Sequence, residues 1–345
     1  MRRIDQSIAR AFWFGVASVG SLLWMGSAAA QSFQFPTGNR ALLEAEGGPR
    51  FYVETTGNTW ETGGFGCVRT DGKQFHEGID IRCLTRTASG EPADKVHATA
   101  EGVVAYVNDK PGLSNYGRYV VLRHQIDGME VFSLYAHLSA VATGLKPGKA
   151  VKAGEQIAVM GRSANTAEGI TKARAHVHFE LNLFISDKFP DYYKVVLPKE
   201  RNDHGLWNGL NLAGLDPSEL LKRSYTDETN FHLADWIRQQ PELCRVMVRK
   251  TAFSWLRRYP MLVNSNPRAT AEGVAGYEVV FNFNGVAIQL TPKAEAELTS
   301  KQKVQLISVN EAEVEAKPCR NMLVRRGGKW ELTQTGLDVI ALLTQ

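Results

Sequence analysis

The sequence predicts a mainly β protein: an antiparallel β-sheet domain with a groove, followed by a smaller α+β C-terminal domain. Three observations carry this. Between Val96 and Val159 short β-branched runs are broken by turn residues, with no helix of ordinary length among them. The stretch Ala175-His176-Val177-His178-Phe179-Glu180-Leu181 alternates polar and apolar residues with a period of two. Beyond about residue 225 helical and strand patterns mix, which is the texture of an α+β unit.

The elements follow in chain order. Arg2, Arg3 and Arg10, the apolar run Ala11 to Met25 and the small residues Ala28-Ala29-Ala30 have the order of a secretory signal peptide, residues 1–30. Residues 31–60 are polar and mixed and read as an N-terminal arm with one strand near Phe51 to Glu54. From Gly63 a glycine-rich lead-in runs to Phe75-His76-Glu77-Gly78-Ile79-Asp80-Ile81, where a tight loop delivers His76 and Asp80 to the start of a strand. Val103–Val107, Tyr119–His124 and Val131–Leu138 read as strands, with turns at Pro111-Gly112, Asp127-Gly128, Pro147-Gly148 and Ala153-Gly154. A polar loop, Arg162 to Ala175, precedes the strand at 176 and is expected to wall a cleft. The first domain then spans residues 61–200.

Residues 201–224 are a connector, with Asp216 or Ser218 capping a short helix to about Lys222. The C-terminal domain takes residues 225–345. In it Asn230–Gln240 is expected as a helix, and Glu242–Arg258 as a helix or two strands. Strands are expected at Tyr277–Phe283, Val286–Leu290 and Val304–Val309, and a terminal helix at Thr333–Leu343. No chemical constellation stands out there, and there is no internal repeat.

Composition bounds the possibilities. The 345 residues are 43% hydrophobic, enough for substantial cores. Residues 1–30 hold three Arg and one Asp, so their removal lowers the formal net charge from +4 to +2. That leaves no strong electrostatic case for nucleic acid, and no segment beyond the signal is apolar enough to span a membrane. Export makes disulfides plausible among Cys67, Cys83, Cys244 and Cys319; closeness in sequence favours Cys67 with Cys83 and Cys244 with Cys319 among the three pairings possible. No Cys-x-x-Cys pair is present, which argues against cysteine ligation of a metal.

The chemistry converges on histidines. His176 and His178 project from one face of a strand, so they can hold a metal together, or one can bind it while the other handles a proton. His76-x-x-x-Asp80 and His137, at a strand end, complete the set. Two histidines and an aspartate form a three-ligand zinc shell with a position open for water, and the leftover histidines can serve as general base and as support for an oxyanion. His97, His124, His204 and His232 read as ordinary surface or core residues. Glu77 and Glu180 are either partners that orient an imidazole or solvent-exposed.

Three blocks, Phe75–Ile81, Ser133–Ser139 and His176–Leu181, occur in the order of the signature blocks of the lysostaphin-type (LytM-like) zinc metallopeptidases. Residues 60 to 185 resemble a whole catalytic domain of that family. The resemblance implies a domain at 61–200 that binds one Zn2+ through His76, Asp80 and His178, with His137 and His176 as the catalytic pair. It also implies hydrolysis of peptide bonds in peptidoglycan, in cross-links or interpeptide bridges, by an exported enzyme of the periplasm, cell envelope or extracellular space. Two alternatives stand beside it: a catalytically silent, wall-peptide-binding regulator of another cell-wall hydrolase, and a zinc peptidase acting on secreted proteins. One departure is Ala175, where the family usually has Pro.

Overall fold

Alternation along its strands decides which way the central sheet faces. The structure is a computed structural model and describes residues 33–166, 169–227 and 231–345; the expected signal peptide lies outside these residues. A hairpin of β1 (Gly66–Arg69) and β2 (Gln74–His76) leads into β3 (Ile79–Arg82). Then follow β4 (Lys95–His97), β5 (Gly102–Asn108), β6 (Arg118–Ile126), β7 (Met129–Leu138), β8 (Ala140–Val141), β9 (Ala150–Val151), β10 (Gln156–Val159), β11 (His176–Phe184) and β12 (Leu212–Leu215). Seven of these form one antiparallel sheet in the order β12-β11-β7-β6-β5-β9, with β3 pairing β11 as well. β3 takes the first half of one β11 edge and β12 the second half, while β7 lies along the other edge. β4, β10 and β8 make a small flanking sheet.

All nine residues of β11 are buried, so both of its faces are covered. Val177, Phe179, Leu181 and Leu183 enter the main core, and His176, His178, Glu180 and Asn182 point the other way. A buried polar face of this kind is stable only if its groups find partners.

The C-terminal part contributes β13 (Cys244–Val248), β14 (Gly276–Phe281), β15 (Ala287–Lys293) and β16 (Val304–Val309), an antiparallel sheet in the order β15-β14-β13-β16. A hairpin of β17 (Leu323–Arg326) and β18 (Lys329–Leu332) and a helix at Gln334–Leu343 follow. The main hydrophobic core runs without a break through both parts, from Ile79 and Phe179 to Val246, Trp255 and Ile340. Among the described residues no helix is long and apolar enough to cross a membrane.

Several local expectations shift. Phe51–Glu54 is not a strand: Gly48–Phe51 forms one helical turn with Pro49 at its start, and Tyr52 alone bridges to Ile81. The connector gives the sheet its edge strand β12, and Asp216 caps the Pro217–Thr226 helix by accepting from the Ser218 and Glu219 amides. Glu242–Arg258 resolves into β13 and a helix at Ser254–Arg258.

The cysteine pairing differs most. Cys67 is bonded to Cys319, 252 residues away, and Cys83 and Cys244 are buried free thiols. Closeness in sequence misleads because the β1-β2 hairpin lies against the turn Pro318–Arg320, whereas the Cys83 thiol is occupied by Thr85 O and Asp94 Oδ2, both at 2.9 Å. Burial, with the Asp94 carboxylate, pushes Cys83 up to about 11, and burial pushes Cys244 up to about 12, so both stay as thiols. The disulfide is a mark of an extracytoplasmic protein.

Candidate metal centre

Asp80 on β3 stands directly across the ladder from His178 on β11. In an antiparallel pair such opposed side chains lie within reach of each other. His76, at the end of β2, reaches the same point because the turn through Glu77 and Gly78 presses against β11. A Cβ on Gly78 would lie 2.4 Å from Phe179 O, so only glycine permits the approach.

Three ligand atoms meet there. Asp80 Oδ1 is 3.0 Å from His178 Nδ1 and 3.3 Å from His76 Nε2, and the two nitrogens are 3.1 Å apart. Donors bound to one tetrahedral zinc at about 2.0–2.1 Å stand about 3.3 Å from each other. The triangle therefore fits such an ion, and its two imidazoles and one carboxylate are a zinc donor set. Among the described residues this is the one group of three possible ligands gathered within ion-binding reach.

The remaining polar atom of each ligand is held by the protein. His76 Nδ1–H donates to Gly64 O (2.6 Å), and His178 Nε2–H donates to Glu180 Oε1 (2.8 Å). Asp80 Oδ2 accepts from Arg69 Nη2 (2.7 Å). These contacts fix the ring tautomers and turn the free lone pairs inward. Arg69 Nη2 also lies 2.8 Å from His76 Nε2. One lone pair cannot serve both, so that contact and ligation at Nε2 exclude each other.

His137 and His176 flank the triangle, with ring centres 4.9 Å apart. His137 owes its aim to a β-bulge: Arg118 pairs Leu138 and Val120 pairs Tyr135, so Ala136 and His137 together face one residue, Tyr119. The backbone of His137 adopts φ 61°, a left-handed conformation that costs a non-glycine residue roughly 1–3 kcal/mol. The conformation is held by His137 N–H donating to Tyr116 O and by Nδ1–H donating to Ser163 O, both at 2.9 Å. His176 Nδ1–H donates to Arg174 O at 2.6 Å. Each ring thus commits Nδ1 to the backbone and turns Nε2 towards the triangle, where His176 Nε2 lies 3.5 Å from Asp80 Oδ1.

Burial sets the protonation states. It pushes His137 well below the usual imidazole range, reinforced by neighbouring His176 and His178. It lowers His176 as well, against the pull of Asp80. Burial would raise Asp80, yet His176, His76 and His178 outweigh it and hold the carboxyl well below its ordinary value. His178 behaves oppositely: burial favours its neutral form, but hydrogen bonds to Asp80 and Glu180 raise it to about 10, so without a metal Nδ1 carries a proton that ligation would displace.

A cleft of about 880 Å³ opens over this face, lined in part by Arg69, Tyr116, Arg174, His137 and, from the C-terminal part, Arg320. Glu180 is buried and carries His178, whereas Glu77 is exposed. His124 is a core residue, His204 is buried against Tyr106, and His97 and His232 take no part in the site. Sequence reasoning gave no role to Arg69, Tyr116 or Arg320. Tyr116 donates to Glu180 Oε1 at 2.7 Å, and its signal is the neighbouring Gly117, at φ 60°, whose Cβ would strike Ser163 O.

Part of the chain is similar to known proteins. Residues 74–188 match the model of peptidase family M23. No curated protein matches. Solved structures similar to the chain include Csd3 from Helicobacter pylori (22% identity, 44% of this chain and 33% of that one, TM-score 0.27). Others are a zinc containing peptidase from Vibrio cholerae (25% identity, 38% of this chain and 35% of that one, TM-score 0.26) and the catalytic domain of lysostaphin from Staphylococcus simulans (23% identity, 38% and 80%, TM-score 0.26). The chain thus covers only about a third of the first two structures. Residues 74–188 thus match peptidase family M23, and His76, Asp80 and His178 all fall within that stretch.

Proposed function

We propose that this chain is an exported zinc metalloendopeptidase that hydrolyses peptide bonds of peptidoglycan. His76 Nε2, Asp80 Oδ1 and His178 Nδ1 would hold the zinc. Zinc, when bound, supplies Lewis acidity, activating a water molecule and polarising the carbonyl of the scissile bond. The protein supplies position and protons. His137 and His176 are neutral, each with its Nδ1 proton committed to a backbone carbonyl, so each presents a basic Nε2 to the cleft. One takes the proton from water at its Nε2, and the imidazolium so formed steadies the oxyanion before passing that proton to the leaving amine; the other orients the water by accepting a hydrogen bond at its Nε2. We assign these roles to the pair without dividing them. Glu180 and Arg69 are positioning residues acting through His178 and Asp80.

The observation that carries this reading is the triangle itself: three ligand atoms at tetrahedral spacing, each anchored from behind, with two neutral imidazoles beside them. The cleft suits an extended peptide, and the disulfide suits an envelope or extracellular location. The test is to incubate zinc-loaded protein with purified peptidoglycan and identify released fragments by mass spectrometry, with casein as a control. New amino termini within wall peptides, absent for Asp80→Ala, are expected. Cleavage of casein alone would assign the activity to secreted proteins instead. Intact wall and intact casein with bound zinc would reject the enzyme.

A further inference from the structure

The C-terminal part reaches the cleft at one charged side chain, Arg320. Cys67 sits across the β1-β2 ladder from Phe75, and Cys67 is bonded to Cys319. The neighbouring Arg320 lies with its guanidinium over the Phe75 ring, 5.0 Å from the centroid. Phe75 immediately precedes the metal ligand His76. The disulfide therefore ties Arg320 to the strand that carries the metal site, although Arg320 lies 244 positions beyond His76 in the chain.

This guanidinium lacks the partners that its burial demands. Among the described residues its Nε is buried without a hydrogen bond, and no other nitrogen of the group donates one. The Phe75 face offers a cation–π contact but no acceptor. Glu77 is close enough to act through space and forms no ion pair with it. Burial lowers the group from its ordinary value, but an arginine remains charged throughout the physiological range. A half-buried cation with no acceptor costs free energy until an anion with matching acceptors arrives, and the planar fork of arginine matches a carboxylate.

The rest of the cleft has the same sign. Arg69 is engaged by Asp80, and Arg174 donates only to neutral groups, Glu54 O and Thr56 Oγ1. Among the described residues the lining sets two carboxylates, Asp80 and Glu77, against three guanidinium groups, and Asp80 belongs to the metal triangle.

We propose that Arg320 is a carboxylate-binding subsite: it receives a free carboxylate of the peptide lying in the cleft and so selects anionic peptides. The inference rests on the peptidase reading for the nature of the occupant. Stem peptides of peptidoglycan carry free carboxylates, and amidation removes that charge without altering length. Arg320 is thus a specificity residue contributed by the C-terminal part and held in place by the Cys67–Cys319 bond.

The test uses the full-length, zinc-loaded protein and two probes, a synthetic stem tetrapeptide with free carboxylates and the same peptide as carboxamides. Binding is read by calorimetry, and hydrolysis of cross-linked wall peptides in both forms is read separately. Wild type is expected to bind the acid form at least about tenfold more tightly than the amide. Arg320→Gln should erase that preference by weakening the acid form alone, with zinc content unchanged. Arg320→Lys should keep part of it, and serves if the glutamine variant fails to fold. A preference that survives Arg320→Gln, or equal losses for both probes, would overturn the subsite. An Arg320-dependent preference for the acid without any hydrolysis would overturn the peptidase reading and leave the subsite standing.

Discussion

His178 and Glu180, two residues apart on β11, point from the same face of the strand, and Nε2–H of the one donates to Oε1 of the other at 2.8 Å. The contact is made inside a single strand, so no other element need move for His178 to be aimed. Glu180 is itself fixed by Tyr116 and Asn182, which donate to its two oxygens. The ligand thus rests on a network that is buried at Glu180 and Asn182 and half-buried at Tyr116, on the cleft wall.

Removing the charge of Glu180 should loosen the metal without removing a ligand. For Glu180→Gln the zinc affinity is expected to fall by about 10–100-fold, the usual effect of losing such a partner. Competition with a chromophoric chelator measures it. An unchanged affinity would mean that Asp80 alone orients His178.

The two histidines that hold no metal should separate binding from chemistry. In His137→Ala and in His176→Ala the zinc stoichiometry is expected to stay at one, while kcat falls by about 10²–10⁴-fold. KM should change little, because neither ring is assigned to peptide binding. Metal analysis alongside steady-state kinetics distinguishes this from loss of the ion.

The bond from Cys67 to Cys319 closes a loop of 252 residues. Its removal in Cys319→Ser frees the unfolded chain and should cost about 2–5 kcal/mol, if the native fold is otherwise kept. Denaturant unfolding of wild type with and without reductant is expected to reproduce the shift. A variant whose midpoint is unaffected by reductant and equal to oxidised wild type would rule out a stabilising role.

Stability should also depend on pH through His124. Its Nδ1–H donates to Glu101 O, and Nε2 lies 2.7 Å from Ser133 Oγ in the core. Burial lowers it from 6.5 to about 4. The folded protein keeps this ring neutral while the unfolded chain protonates it near 6.5, so its contribution is complete above that pH. As pH falls towards 4 about 3 kcal/mol is lost, and below 4 this group adds no further slope. Unfolding curves collected between pH 7 and pH 4 for wild type and His124→Gln measure the difference in slope.

The sheet and the gathering of His76, Asp80 and His178 were legible because they depend on local pattern. A period of two puts His176 and His178 on one face, and a glycine turn places His76 and Asp80 together. What escaped depends on contacts between distant segments. Nothing near Cys67 indicates that Cys319 is its partner, and closeness in sequence pointed to Cys83, which Asp94 occupies instead. The strand Leu212–Leu215 reads as a connector because Ala213 and Gly214 lie between its two leucines and break any strand pattern, and only the open edge of β11 makes it a strand. The bulge at Ala136 and His137 also has no signature in sequence, since it arises from the register of β6 against β7.

The central claim is that His76, Asp80 and His178 hold one zinc ion. X-ray absorption at the zinc edge of the loaded, full-length protein tests it most directly. One ion per chain with two imidazole nitrogens and carboxylate and solvent oxygens at about 2.0–2.2 Å is expected, lost in Asp80→Ala. A sulfur shell near 2.3 Å, or an unaltered spectrum and zinc content in Asp80→Ala, would contradict it.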